Sequence, residues 1–190
     1  MPFEAAVRDL VLAPMELHDS DFAPRSDLIK RQAAGSMWTY DGRKIPTPKW
    51  RLGYVPAAEL RSTTVDLVKF ARNWFPVAPN RVIRKATQES MWVPADNNTA
   101  CGLGFFVSKL DGHLRVAHAG VLAGFASTLA ALPEQGLAVA VICTKDFVTN
   151  VSDAIADQAL QAALANRRGE SIKSPRWPQP LGVKQSRELA

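Results

Sequence analysis

Few residues of this chain are suited to metal or redox chemistry. Its two cysteines, Cys101 and Cys143, lie far apart, with no Cys-x-x-Cys and no Cys/His spacing that suits zinc. Both are expected to be buried thiols. No apolar run reaches the roughly 20 residues that span a bilayer, and the N-terminus has no basic-then-apolar plan of a signal peptide. Neither a membrane span nor an export signal is therefore expected within these residues. Concentrated basic charge is scarce too. The formal charge is +5 and the pI near 9.5, but the 23 Lys and Arg are scattered. Only "RLGYVPAAELR", "NRVIRK", "NRRGESIKSPRW" and "KQSR" gather them, and none interleaves aromatics as a nucleic-acid groove does, so no nucleic-acid partner is expected. Internal repeats and low-complexity tracts are absent.

What is present is ordinary globular material. At 190 residues, 47% hydrophobic and 22% charged, the chain holds enough apolar mass for one core. In "MPFEAAVRDLVLAPMEL", Phe3, Val7, Leu10 and Val11 recur at helical spacing and Pro14 marks the end, giving an amphipathic helix. Residues 18–60 show no sustained period, and "YDGRKIPTPKW" reads as a hairpin or loop excursion around Asp41-Gly42. A connection of that length is usually functional or packed against something.

"RSTTVDLVKFARNWFP" is a second helix. Thr63 and Asp66 stand at capping-box spacing, Leu67, Phe70, Ala71 and Trp74 form its apolar stripe, and Pro76 ends it. From residue 102 the period drops to two. "GLGFFVSKL" and "HLRVAH" are strands joined by Asp111-Gly112, and "ASTLAAL" and "LAVAVICT" are joined by the turn Pro133–Gly136. Four antiparallel strands are thus expected from about 104 to 144. The last, apolar on both faces, is expected in the sheet's interior under helices. "NVSDAIADQALQAALANRRG" is the covering helix, with Asn150 as N-cap, Asp153 in its first turn, Arg167 and Arg168 in its last, and Gly169 as its stop. The fold class is α+β, an antiparallel sheet flanked by helices, over residues 1–168. Residues 169–190 are polar and aperiodic, a tail expected to be mobile.

Within "RVAHAGVLAGF" a lone histidine, His118, sits at a strand break. One reading is a core histidine with its ring nitrogens satisfied. The other is an active-site imidazole, and a wider pattern supports it. "PFEAAVRDLVLAPMELHDSDF", "PAAELRSTTVDLVKFARNW", "CGLGFFV" and "HAGVLAGFASTLAALPEQGLAVAVICT", in that order, resemble the C-terminal portion of the serine β-lactamase-like family. That family includes class C β-lactamases, penicillin-binding DD-peptidases and esterases. The resemblance covers residues 2 to about 165. "HAG", residues 118–120, matches the family's third signature, Lys-Thr-Gly or His-x-Gly.

The resemblance implies that His118 faces the catalytic serine and substrate carbonyl and helps arrange proton transfer. Gly120 lets the backbone approach the acyl group, and the backbone N–H of Val121 supplies half of an oxyanion hole. Gly120 and Gly124 also fit plain strand breaks or bulges. No cofactor or metal is implied. The implied substrate is a small-molecule ester, amide or β-lactam, with histidine in place of lysine tilting modestly toward ester or peptide. Relatives are often periplasmic or envelope-associated.

One departure limits this. The family carries its nucleophile in Ser-x-x-Lys and a partner base in Tyr-x-Asn, and neither occurs here: Ser26 has lysine four positions on, Ser171 two, and Tyr40 and Tyr54 are followed by Asp-Gly and Val-Pro. The chain is therefore expected to be a C-terminal portion that begins after those signatures. As such it is inactive alone, a fold lacking its N-terminal part, and a partner for a missing N-terminal half. The competing reading is a non-catalytic binding or interaction module derived from the same fold.

Overall fold

The structure is a computed structural model and describes residues 1–48, 53–78, 82–94 and 100–172. Helix α1 (Phe3–Val7) runs into a π-helical turn, Arg8–Leu12, followed by α2 (Ser26–Ile29), the strands β1 (Ser36–Trp38) and β2 (Lys44–Pro46), and α3 (Val55–Ala58). Next come α4 (Thr64–Arg72), α5 (Lys85–Met91), β3 (Phe106–Leu110), β4 (His113–Leu122), β5 (Phe125–Leu132), β6 (Leu137–Cys143) and α6 (Thr149–Arg167). Strands β3 to β6 form an antiparallel sheet in sequence order. Asp111-Gly112 turns β3 into β4 with both residues at positive φ, as a two-residue hairpin loop requires. The expected third turn is a 3₁₀ turn, Pro133–Gln135, closed by left-handed Gly136.

The sheet has a core on each face. On one, Ala117, Ala130 and Leu132 meet Ala156, Leu160 and Leu164 of α6. On the other, Val116 and Ala131 meet Ala71 of α4, Trp74 and Trp92. The α4 stripe packs as its spacing dictates. Its capping box, however, is only half made: the Thr63 side chain accepts the Asp66 N–H at 3.2 Å. The buried Asp66 carboxylate instead accepts the Asp19 N–H at 2.8 Å and the Ser20 hydroxyl at 2.9 Å, fastening the segment after α1 to α4.

Four expectations need correction. Strand β6 lies at the sheet's edge, not in its interior: α4 and α6 cover its faces, yet among the described residues only β5 pairs with it as a strand. Cys101 is exposed and Cys143 half-buried, because Cys101 precedes β3 in an irregular segment and Cys143 ends the edge strand. Asn150 does not cap α6. The helix starts at Thr149 with Val148 at the N-cap position, and Asp153 instead accepts a hydrogen bond from the buried Thr128 hydroxyl at 2.8 Å. The strand expected from Gly102 starts only at Phe106, since Gly104 takes a left-handed φ of 77°.

The other end of α6 follows expectation. Left-handed Gly169 donates to the Asn166 carbonyl and Glu170 to the Ala165 carbonyl, a Schellman stop. Within the aperiodic connection the Asp41-Gly42 segment turns β1 into β2, as expected, and residues 49–52 of it lie outside the described residues. Of the tail, residues 173–190 lie outside the described residues. No helix among the described residues is long and apolar enough to cross a membrane.

An ion pair between the half-exposed Arg8 and the buried Asp21 fixes the N-terminal segment. Asp21 takes two bonds from the Arg8 guanidinium, at 3.0 and 3.1 Å, and one from the Ala23 N–H at 2.9 Å. Burial pushes the Asp21 carboxyl up, but these bonds and the charges of Arg8 and Arg25 outweigh it and hold it below the usual carboxylate value. A depressed carboxylate contributes stability that is full above its unfolded pKa, about 3.9, and is lost as pH falls through the lower folded value. Thermal melts of wild type and Asp21→Asn between pH 7 and 2.5 should therefore converge below about pH 4. A constant gap across that range would exclude Asp21 as the titrating group.

Candidate active site

The two hairpin turns set the register that builds the site. With Asp111-Gly112 at one end and Ala123-Gly124 at the other, β4 pairs with β5 from Val116 to Leu122 but with β3 only as far as Ala117. Antiparallel pairs alternate, and the pair that closes a two-residue turn exchanges its own hydrogen bonds. Leu122, Gly120 and His118 therefore point their backbone groups at β5. Those of Ala119 and Val121 point the other way, toward an edge that no described strand covers. Val121 is 51% exposed.

His118 lies at the start of this open edge, opposite Leu129 of β5. Its side chain is exposed, and among the described residues its ring nitrogens make no hydrogen bond; its one ring contact is a stack on Phe106, centroids 5.6 Å apart and planes 24° apart. His113, by contrast, is half-buried and shares a hydrogen bond with Gln135 at 3.2 Å. Of the two readings of His118, the enclosed and satisfied core histidine does not describe this side chain. A ring with both nitrogens unbonded among the described residues, and braced on one face, is available for proton exchange at the open edge of β4.

Gly120 faces Ser127 across the ladder, and a Cβ on it would stand 2.8 Å from the Ser127 hydroxyl oxygen. The missing side chain thus makes room for that hydroxyl whatever else it admits. Gly124 has a structural duty. It holds φ +76°, and a Cβ there would lie 1.6 Å from the Thr47 hydroxyl oxygen and 3.1 Å from the Ser36 backbone nitrogen. The β1–β2 hairpin therefore rests on the β4–β5 turn.

His118, Gly120 and Val121 are adjacent on one strand, so the structure holds them together. It adds Phe106 and Ser127, which motif reading missed. The signal for Ser127 was a hairpin turn, since counting on from Ala123-Gly124 sets it beside Gly120; counting back from Asp111-Gly112 sets Phe106 opposite Ala117, so its stack on His118 is a diagonal contact that register alone does not give. No group of three or more His, Cys, Asp or Glu suited to a metal ion occurs among the described residues.

The chain as a whole resembles known proteins. A family model described as Beta-lactamase matches residues 1–164. The chain belongs to the β-lactamase family. Penicillin-binding protein 4 of Amycolatopsis lactamdurans is 25% identical over 196 residues, covering 95% of this chain and 51% of that protein. Among solved structures, the octameric penicillin-binding protein homologue from Pyrococcus abyssi superposes with a TM-score of 0.68 at 21% identity, over 92% of this chain and 40% of that one. A class C β-lactamase gives 0.69 at 12% identity, over 85% and 52%. These likenesses show a β-lactamase/transpeptidase fold, and the chain spans 40–52% of the length of these three proteins.

Proposed function

We propose that this chain carries one wall of a serine hydrolase site of the β-lactamase family, which cleaves an ester, amide or β-lactam through an acyl-enzyme. The observation that carries this reading is the open edge of β4, where an unpartnered imidazole stands three residues before a backbone N–H with no strand to bond. A carbonyl lying along that edge would place its oxygen against the Val121 N–H. A donor so placed, aimed at the charge that develops in a tetrahedral intermediate, contributes about 3 kcal/mol. His118 would pass a proton between nucleophile, leaving group and water, and Gly120 would admit the acyl group beside it. None of the chain's serines stands in Ser-x-x-Lys, so the nucleophile and its lysine come from sequence outside this chain.

A second observation supports assembly with such a segment. Strand β6 has the apolar sequence of an interior strand and helices on both faces, yet its outer hydrogen-bonding edge is unpaired among the described residues. An apolar open edge is a template for another strand.

The chain alone should give no hydrolysis of nitrocefin or p-nitrophenyl esters above background, and no serine should be labelled by a fluorophosphonate or penicillin probe. Loss of a serine nucleophile costs on the order of 10⁶-fold in turnover. Activity should appear when the part of a relative outside the matched region, bearing Ser-x-x-Lys and Tyr-x-Asn, is fused or co-expressed. Stoichiometric labelling of a serine in the isolated chain would overturn the reading. A tight complex without hydrolysis would favour the non-catalytic module.

A further inference from the structure

A cavity lies on the α4 side of the sheet, between the end of α4, helix α5 and the turn that joins β5 to β6. It holds about 400 Å³, within the range of small-molecule sites. Leu114 in its wall stands four residues before His118 on β4, a run of about 13 Å at the rise of a strand, so the cavity belongs to the end of that strand opposite the open edge. Its walls are largely apolar: Trp74 and Trp92, both buried, and Leu114. Its charges are unequal in sign. Lys85 and Glu89 pair with each other at 3.6 Å, one turn apart on α5, and Glu134 faces them from the turn, exposed and without an ion pair among the described residues. One negative charge is therefore left uncompensated. A second polar requirement is unmet in the wall itself, where the Trp92 indole N–H is enclosed and has no acceptor among the described residues. A buried donor ordinarily has an acceptor from the protein, a water or a ligand.

We propose that this cavity binds a small organic amine with a flat apolar body and an acceptor oxygen, at a site separate from the β4 edge. The ammonium group faces Glu134, the body lies against Trp74 and Leu114, and the oxygen takes the Trp92 N–H. An anion is disfavoured because Glu89 and Glu134 outnumber Lys85, and a wholly apolar ligand leaves both the carboxylate and the indole N–H without partners.

Calorimetric titration of the chain at pH 7 tests this with four probes of one shape: 4-methoxybenzylamine, benzylamine, 4-methoxybenzyl alcohol and 4-methoxybenzoate. The first should bind once per chain with a millimolar or tighter dissociation constant. Benzylamine, which lacks the oxygen, and the alcohol, which lacks the charge, should each bind about threefold or more weakly, and the benzoate should not bind measurably. Glu134→Gln should abolish the preference for the amine over the alcohol. Trp92→Phe keeps an aromatic wall without the N–H and should abolish the preference for 4-methoxybenzylamine over benzylamine. Val93→Arg, at an exposed position of the lining, places a cation at the mouth and should weaken amine binding roughly tenfold with little change in the melt, so the test stands even if Trp92→Phe does not fold. Absence of amine binding, equal binding of amine and benzoate, or amine binding that survives Val93→Arg would each overturn the proposal. No step of the experiment needs turnover or an added segment, so its outcome leaves the hydrolase reading untouched.

Discussion

His118→Ala is expected to leave the melt of the isolated chain almost unchanged, and to lower kcat/KM at least tenfold once the serine-bearing segment is restored. The two halves of this result have different causes. Among the described residues the ring is exposed, free of hydrogen bonds, and stacked on Phe106. Removing such a side chain costs less than about 0.5 kcal/mol, with a little more if the stack on Phe106 contributes. In the proposed assembled site the same ring would stand beside the reacting carbonyl. Loss of a positioned proton carrier typically costs 10²–10⁴-fold, so tenfold is the smallest effect compatible with the proposed role. His113→Ala is the control for activity. It removes a half-buried ring bonded to Gln135 and should lower the melt more than His118→Ala, with no change in kcat/KM. If His118→Ala unfolds the chain and spares the assembled enzyme, the imidazole is a packing residue and its assigned role is wrong.

The second large effect is on stability. Gly124→Ala should destabilise the chain by about 3 kcal/mol, from two separable terms. A non-glycine residue at φ +76° pays about 1–2 kcal/mol in backbone strain. The new Cβ also occupies the place of the Thr47 hydroxyl, and overpacking of that kind costs about 1–3 kcal/mol. Thr47→Gly in the same chain removes the second term only, so the double variant should recover about half of the loss in a denaturant titration. Full recovery would mean that the left-handed backbone contributes nothing. No recovery would mean that the hairpin does not rest on the turn. Because the β4–β5 turn fixes the register that points Val121 outward, Gly124→Ala should also lower activity in the assembled enzyme.

Both experiments concern features that the sequence shows unequally. The order of elements from α4 to α6 is legible because each boundary has its own local chemistry: Thr63 at a cap, Asp111-Gly112 and Pro133–Gly136 at turns, Gly169 at a stop. His118 is also legible, but only as a lone imidazole in a family-like motif. Composition could not say whether it is enclosed or open. That depends on β3 beginning only at Phe106, opposite Ala117, while β4 runs on to Leu122, after the left-handed Gly104 has kept the preceding chain out of the strand. Asn150 misleads for a similar reason. It is a good capping residue by type, but the preceding chain reaches helical geometry one residue earlier and leaves Val148 at the cap.

The sequence by itself determined the fold class, the four-strand order, the covering helix and the family, since turn residues and hydrophobic period act locally and need no partner to be read. Tertiary structure alone decided the rest. It set β6 at an edge although its sequence is that of an interior strand, exposed Cys101, enclosed Asp146 while turning Phe147 outward, and directed the Val121 N–H at an open edge. Each of these is a question of what stands beside a residue across the sheet. Neighbours far apart in sequence leave no local pattern from which the answer can be read.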